Sequence, residues 1–276
     1  MELITLSNIF GQKITVIAGD LIGKKIIKEG AYDKTGLYFI DALLKNLDNP
    51  ICLDIGANIG NHTLVMSRHA AAVLAYEPQK KVFEVLQKNV SDNNAANVKI
   101  FNFGLSNISG MAKMTVMDAN NTGATSFIIS DESAPSLDAI LRQGDQELIE
   151  SGVHHVDFIK VDVEGLEASV FDGLRETIET SKPIIMMEWN SEETRKGFSD
   201  KKLFTTSFAD YTFFSLRSTH ERPKHPESQL QKTMRKISRK LFRPSLILGD
   251  FSKDGEYGNV VGIPNQKVNL VKEIVN

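Results

Sequence analysis

Leu53-Asp54-Ile55-Gly56-Ala57-Asn58-Ile59-Gly60-Asn61-His62-Thr63 is the stretch whose reading decides the fold. The apolar run Ile51 to Leu53 leads into it, and Leu64, Val65 and Met66 lead out. The pattern is a strand, a glycine turn and a helix. Glycine adopts backbone angles closed to other residues and lets a ligand approach the main chain closely. A helix start offers free N–H groups. The stretch therefore reads as one wall of a pocket for a nucleotide-like cofactor. The spacing is Gly-x-x-x-Gly, with Asp54 two residues ahead of Gly56. A dinucleotide fingerprint needs a middle glycine, and Asn58 holds that place. A P-loop needs Gly-Lys-Ser/Thr, and Asn61 follows Gly60. Both pyrophosphate readings are thus disfavoured. Asp54 suits a cationic group, such as the amino group of an amino-acid-like cofactor. The bland alternative is a turn whose glycines serve packing alone.

Working outward, Ala72 to Tyr76 reads as a second buried strand that closes on Glu77-Pro78. An acid at that strand end can accept both ribose hydroxyls, although it can also serve the start of the following helix. From residue 51 the chain alternates strand and helix. Residues 79–93 read as a helix, 98–103 as a strand and 110–117 as an exposed extra strand. Residues 137–141 and 146–150 read as helical, 156–162 as a strand, 166–180 as a helix and 183–188 as a strand. Such alternation implies a parallel sheet with helices on both faces and ligands at the carboxyl ends of the strands. Asp54, Glu77, Asn102, Asp162 and Glu188 all fall at such ends. Residues 1–50 form an N-terminal extension, with a strand at Ile14 to Ile17 and a helix from Thr35 to Leu47. Residues 51–276 form the main domain, closed by strands at 211–214 and 258–263.

Between those last strands lies a segment of different composition. Lys224, Lys232, Arg235, Lys236, Arg239, Lys240 and Arg243 face one acid, Glu227, while Leu230, Met234, Ile237 and Leu241 recur at helical spacing. It reads as a basic helical insertion, about 217–248. Residues 228–243 could then contact an anionic membrane or an anionic acceptor, or simply form a solvated lid over the acceptor site.

The 276 residues carry a net charge of −3, so no global field draws the protein to nucleic acid. Cys52 is the single cysteine, which fits a reducing compartment. Met1 to Ser7 lacks the basic start and apolar core of a secretory signal, and no apolar run reaches membrane-span length. The expectation is a cytoplasmic protein, with peripheral contact at the inner face of a membrane if the basic segment binds there.

Phe158-Ile159-Lys160-Val161-Asp162-Val163-Glu164-Gly165-Leu166-Glu167 is the second dense constellation. Carboxylates this close repel one another and need donors or a cationic ligand; Lys160 and a cationic cofactor are the candidates. Glu167 is also explained as a first-turn acid serving a helix dipole. Four segments, namely Leu53 to Thr63, Tyr76-Glu77-Pro78, Phe103 to Asn107 and Ile159 to Glu167, make the chain resemble the FkbM-type methyltransferases of the class I S-adenosylmethionine-dependent superfamily. Asn121 to Ser126 and Ser136-Leu137-Asp138 add weaker support. The match covers about residues 51–190, and Gly104 stands where that family often has alanine.

The resemblance implies an α/β, Rossmann-like, seven-stranded and mostly parallel sheet whose last strand is antiparallel. It implies S-adenosylmethionine as methyl donor and, usually, a hydroxyl acceptor on a glycan or other small molecule. Carried over by position, Asp54, Gly56, Asn58 and Gly60 form the methionine-side loop and Glu77 takes the ribose hydroxyls. Asn102 lies near the adenine, and Asp162 lies near the amino group or the acceptor. A hydroxyl is a weak nucleophile that benefits from a base; Asp162, Glu164, His62 and Glu188 are the candidates. Trp189 could stack on a sugar, or be a packed indole. The sequence holds no compact pattern with metal-ligand spacing, so no metal is assigned, and a dispersed divalent-cation site stays open. The competing readings are a catalytically silent cofactor-binding or scaffold protein of the same fold, and a nicotinamide-dependent oxidoreductase, which the missing middle glycine disfavours.

Overall fold

The computed structural model describes residues 2–116, 125–126, 136–219 and 244–275. Two strands, β1 (Leu3–Ser7) and β2 (Lys13–Ile17), make an antiparallel hairpin. Helices α1 (Leu21–Glu29) and α2 (Lys34–Lys45) follow. Five strands are then parallel neighbours: β3 (Ile51–Ile55), β4 (Ala72–Tyr76), β5 (Val98–Phe101), β10 (Phe158–Val161) and β11 (Ile184–Trp189). Helices α3 (Asn61–Met66) and α4 (Lys80–Asp92) connect the first three. Helices α6 (Glu167–Gly173) and α7 (Arg175–Ser181) connect the last two. Beyond β11 lie α8 (Glu192–Asp200), β12 (Tyr211–Ser218), β13 (Leu246–Gly249), β14 (Tyr257–Pro264) and α9 (Val268–Val275).

The sheet runs β13-β12-β14-β11-β10-β3-β4-β5. The last strand, β14, lies antiparallel between β11 and β12, as the family resemblance implied. Among the described residues the sheet has eight strands rather than seven. Leu246 to Gly249 pair antiparallel with Ser218 to Ser215, so both described flanks of the segment assigned to the basic insertion are sheet. The basic stripe itself, 224–243, lies outside the described residues.

Side-chain alternation gives the sheet two dry faces. Leu53, Ile55, Ile159, Val161, Ile185 and Met187 bury one face, against α6, α7 and α8. Cys52, Val73, Phe158, Ile184 and Met186 bury the other, mainly against Leu37, Ile40, Leu43 and Leu44 of α2 and Val271 of α9. The N-terminal hairpin packs on α4 through Ile14, Val16, Val82 and Val85. Fully buried Asn89 pins it there: its amide exchanges hydrogen bonds with the Thr15 main chain at 2.6 and 2.9 Å and donates to Ile59 O at 2.7 Å. One side chain thus joins the hairpin to the glycine turn.

A second sheet, β6-β9-β7-β8, is built from β6 (Gly104–Ser106), β7 (Gly110–Val116), β8 (Thr125–Ser126) and β9 (Ser136–Gln143), with α5 (Gly144–Glu150) after it. Residues 137–141 are therefore strand and not helix. A five-residue mixed window does not separate the two periods, and antiparallel pairing of Met111 with Ile140 and of Lys113 with Asp138 decides it. The helix expected over 166–180 is broken at Leu174. Gly173 brings this point against β6, since a Cβ there would sit 2.0 Å from Ser106 O. Among the described residues, no helix is long and apolar enough to cross a membrane.

Candidate active site at the carboxyl edge of the sheet

The glycine turn leaves β3 through three left-handed positions in five residues: Gly56 (φ 78), Asn58 (φ 51) and Gly60 (φ 90). Asparagine tolerates that region better than other side-chain-bearing residues, so Asn58 replaces a glycine without straightening the turn. A Cβ on Gly56 would lie 1.8 Å from Asp162 O, so the glycine lets the ends of β3 and β10 close on each other. Gly56 and Ala57 donate to Tyr76 O, both at 3.0 Å, which ties the turn to the end of β4. Glu77 continues that tie. One carboxylate oxygen accepts from Asn58 N at 2.9 Å and the other from Gln79 N at 2.8 Å. Burial pushes the Glu77 carboxyl up to about 7, against those two hydrogen bonds.

Lys160 is the internal cation of this edge. It is 4% exposed and donates to Gly56 O at 2.9 Å, with Asp54 and Asp162 each 3.4 Å from its ammonium. Burial alone would lower its pKa; Asp54 and Asp162 more than reverse that, so the ammonium is held charged. Asp54 is fully enclosed, accepting from Thr63 Oγ1 at 2.6 Å.

On the acceptor side, β10 and β11 bring Asp162, Glu164 and Glu188 together, with one oxygen of each within 4.8 Å of the others. Burial, then Asp162 and Glu164, push the Glu188 carboxyl up to about 9, and Asn190 Nδ2 donates to it at 2.7 Å. Burial, then Asp162 and Glu167, push Glu164 up to about 7. This triad has the donor set of a divalent-cation site. Its members are spread over two strand ends, so the sequence showed no compact metal pattern. Glu167, in contrast, turns away from the cavity and accepts from Thr194 Oγ1 at 2.5 Å and from Val163 N and Gly165 N.

One cavity collects Gly56, Asn58, His62, Glu77, Asp162, Glu164 and Glu188. Asp54, Gly60 and Asn102 support it without lining it. Asn102 Nδ2 donates to Glu77 O and Pro78 O at 2.9 and 3.1 Å, which fixes the loop that carries Glu77. Trp189 is a packed indole: 1% exposed, edge-on to Phe198 and donating to Lys253 O at 3.2 Å, it is not placed to stack on a ligand. Leu21, Ile22, Tyr32 and Met114 complete the wall, and sequence reading missed them. They come from the hairpin side and the second sheet, whose sequences carry no motif.

The polar lining is rich in acceptors. Beside the carboxylates, the buried Asn61 Oδ1 on the cavity wall has no hydrogen-bond partner among the described residues. The one ammonium on the wall among the described residues, that of Lys160, is already paired. Such a lining fits a ligand with a cationic centre, an amino group and hydroxyl donors. It fits a pyrophosphate poorly.

A family model described as the methyltransferase FkbM domain matches residues 54–221. The chain belongs to the FkbM methyltransferase family. The family resemblance is thereby borne out, and S-adenosylmethionine is the cofactor. The chain is 26% identical to methyltransferase sdnD of Sordaria araneosa over 227 residues, 70% of this chain and 84% of that protein. It is 33% identical over 164 residues to the hexuronic acid methyltransferase AglP of Haloferax volcanii, 57% of this chain and 65% of that protein. The crystal structure of methyltransferase FkbM from Methylobacillus flagellatus superposes with a TM-score of 0.51 at 17% identity, over 84% of this chain. This chain spans 48% of that one, and at such identity the likeness is one of fold.

Proposed function

We propose that this methyltransferase O-methylates a hydroxyl on a sugar, a glycan intermediate or another small metabolite. The observation that carries the reading is the shared cavity. The glycine turn and Glu77 form one end, and titratable groups suited to proton removal form the other. The relative named as a hexuronic acid methyltransferase supports a sugar acceptor.

When bound, S-adenosylmethionine supplies an electrophilic methyl group on a sulfonium that leaves as a neutral thioether. The chain then needs little help for the leaving group, and alignment is its main contribution. Gly56 and Asn58 hold the methionine end from the turn, with Asp54 and Gly60 shaping it from beneath. Glu77 receives the ribose hydroxyls, and Asn102 fixes the approach to the adenine. Asp162 faces the amino group or the acceptor. Asp162, Glu164 and His62, and Glu188 once the cofactor's charge has displaced its proton, are the groups placed to take the hydroxyl proton. Contact of residues 228–243 with an anionic surface is a separate proposal that rests on composition.

Isothermal calorimetry with S-adenosylmethionine tests the cofactor half. Micromolar binding is expected, weakened roughly 10- to 100-fold by Glu77→Ala, the range for losing hydrogen bonds to a charged group. Incubation of the protein with methyl-labelled S-adenosylmethionine and a small-molecule extract of host cells, read by mass spectrometry, tests the transfer. A labelled ether on a sugar is expected. Binding without label in any acceptor, even at stoichiometric enzyme, would leave a cofactor-binding scaffold and overturn the enzyme.

A further inference from the structure

His62 does not stand alone on the cavity wall. Its Nε2 lies 3.1 Å from Asp33 Oδ2, and both side chains are largely buried. Asp33 precedes α2 in a left-handed conformation (φ 47), a costly position for a residue other than glycine unless its side chain is used. Its side chain is used three times. Oδ1 accepts from Gly36 N at 3.2 Å and from Asn259 Nδ2 at 2.8 Å, and Oδ2 faces His62. The carboxylate is therefore clamped from α2 and from β14 while it meets the imidazole at the start of α3. An acceptor-only carboxylate on Nε2 places the ring proton there and leaves the lone pair on Nδ1. His62, with no second hydrogen bond among the described residues, lines the same cavity as Glu77, Asp162 and Glu188. Asp33 and Asn259 both lie outside residues 54–221, so neither belongs to the matched family segment.

We propose that Asp33 and His62 form the proton-accepting dyad of the transfer, with His62 Nδ1 as general base and Asp33 as its positioning residue. The inference rests on the O-methyltransferase reading above. As the acceptor oxygen bonds to the methyl carbon, the carbon–sulfur bond breaks and its electron pair stays on sulfur, giving S-adenosylhomocysteine. The hydroxyl proton passes to Nδ1. The imidazolium is held against the Asp33 carboxylate until it releases the proton to water. The Asp162–Glu164–Glu188 cluster then serves charge balance and orientation rather than proton removal.

Asp33→Asn is the discriminating variant, because asparagine keeps the helix cap and tolerates the left-handed backbone. Turned to His62, its amide N–H would meet Nε2 and force the proton to Nδ1. Long-range nitrogen–proton NMR of the protein with S-adenosylhomocysteine bound is expected to show the Nε2–H tautomer of His62 in the wild type and its loss in Asp33→Asn. In the labelled-methyl assay, both Asp33→Asn and His62→Gln are expected to lower kcat roughly 10²- to 10⁴-fold, the reach of general-base catalysis. The dissociation constant for S-adenosylmethionine should stay within about threefold. An Nδ1–H tautomer in the wild type, or a tautomer unchanged in Asp33→Asn, overturns the dyad without any assay. Wild-type transfer with both variants unimpaired overturns it as well and returns the base role to the carboxylates. Absence of transfer in the wild type would sink the enzymatic reading instead, while the NMR result still decides whether the dyad exists.

Discussion

Glu188 shows what a single residue costs when it waits for a charged ligand. Its carboxyl is pushed up from 4.5 to about 9 by burial and by Asp162 and Glu164. The folded protein therefore holds a proton that the unfolded chain gives up between those two values. Stability from this group is complete below about pH 4.5 and is lost as pH rises toward 9. Buried Glu77 carries the same sign, with the loss finished near pH 7. Glu188→Gln removes the penalty without changing shape. The apo variant is expected to melt above wild type at pH 8. The two should converge near pH 5 by differential scanning calorimetry. A gap that is the same at both pH values would refute the assignment. S-adenosylmethionine supplies the missing positive charge, so its binding at pH 8 should release protons. S-adenosylhomocysteine, whose sulfur is neutral, should release fewer, as read from calorimetric heats in buffers of different ionisation enthalpy.

At the scale of elements, the site depends on how closely β3 and β10 converge, and Gly56 sets that distance. Alanine there would place a methyl group 1.8 Å from Asp162 O at a φ of 78°, so the strand ends must part or the turn must flip. Gly56→Ala is expected to cost about 3 kcal/mol or more in urea unfolding and to abolish cofactor binding. Gly19→Ala, at a site with nothing within 4 Å, is expected to change neither appreciably. Comparable stability for the two variants would refute the argument. The same elements show how much was legible. Sheet strands 51–55, 72–76 and 184–189 could be read because buried parallel strands are apolar runs bounded by turn residues. The carboxyl-edge acids could be read because fold class fixes which strand ends face the ligand. Asp33 could not, since its role depends on a left-handed backbone and on partners at positions 62 and 259. Nor could β13 or the true state of 137–141, where pairing with a distant strand outweighs a short local pattern.

Over the whole chain the sequence groups its charges unevenly. The net charge is −3, and acids crowd the cavity, yet Lys232, Arg235, Lys236, Arg239, Lys240 and Arg243 fall within sixteen residues, 228–243, that hold no acid. An acidic cavity disfavours a free anionic acceptor. A basic segment elsewhere in the same chain can still hold an acceptor that is attached to an anionic surface, because the attachment and the reacting hydroxyl are different parts of the ligand. Each Lys or Arg near an anionic leaflet contributes about 1 kcal/mol, so six are enough for measurable binding even if half engage. The field decays within a Debye length of about 8 Å at physiological salt, so the attraction should be lost at high ionic strength. Co-sedimentation is expected with vesicles containing about a third phosphatidylserine at low salt, to fall steeply as salt is raised, and to be absent with pure phosphatidylcholine. Deleting 228–243 should abolish it while leaving S-adenosylmethionine affinity within about threefold, since the cofactor end of the cavity is built from residues 21–190. Equal sedimentation of the deletion variant and the full chain would assign those cations to solvent or to a lid over the acceptor instead.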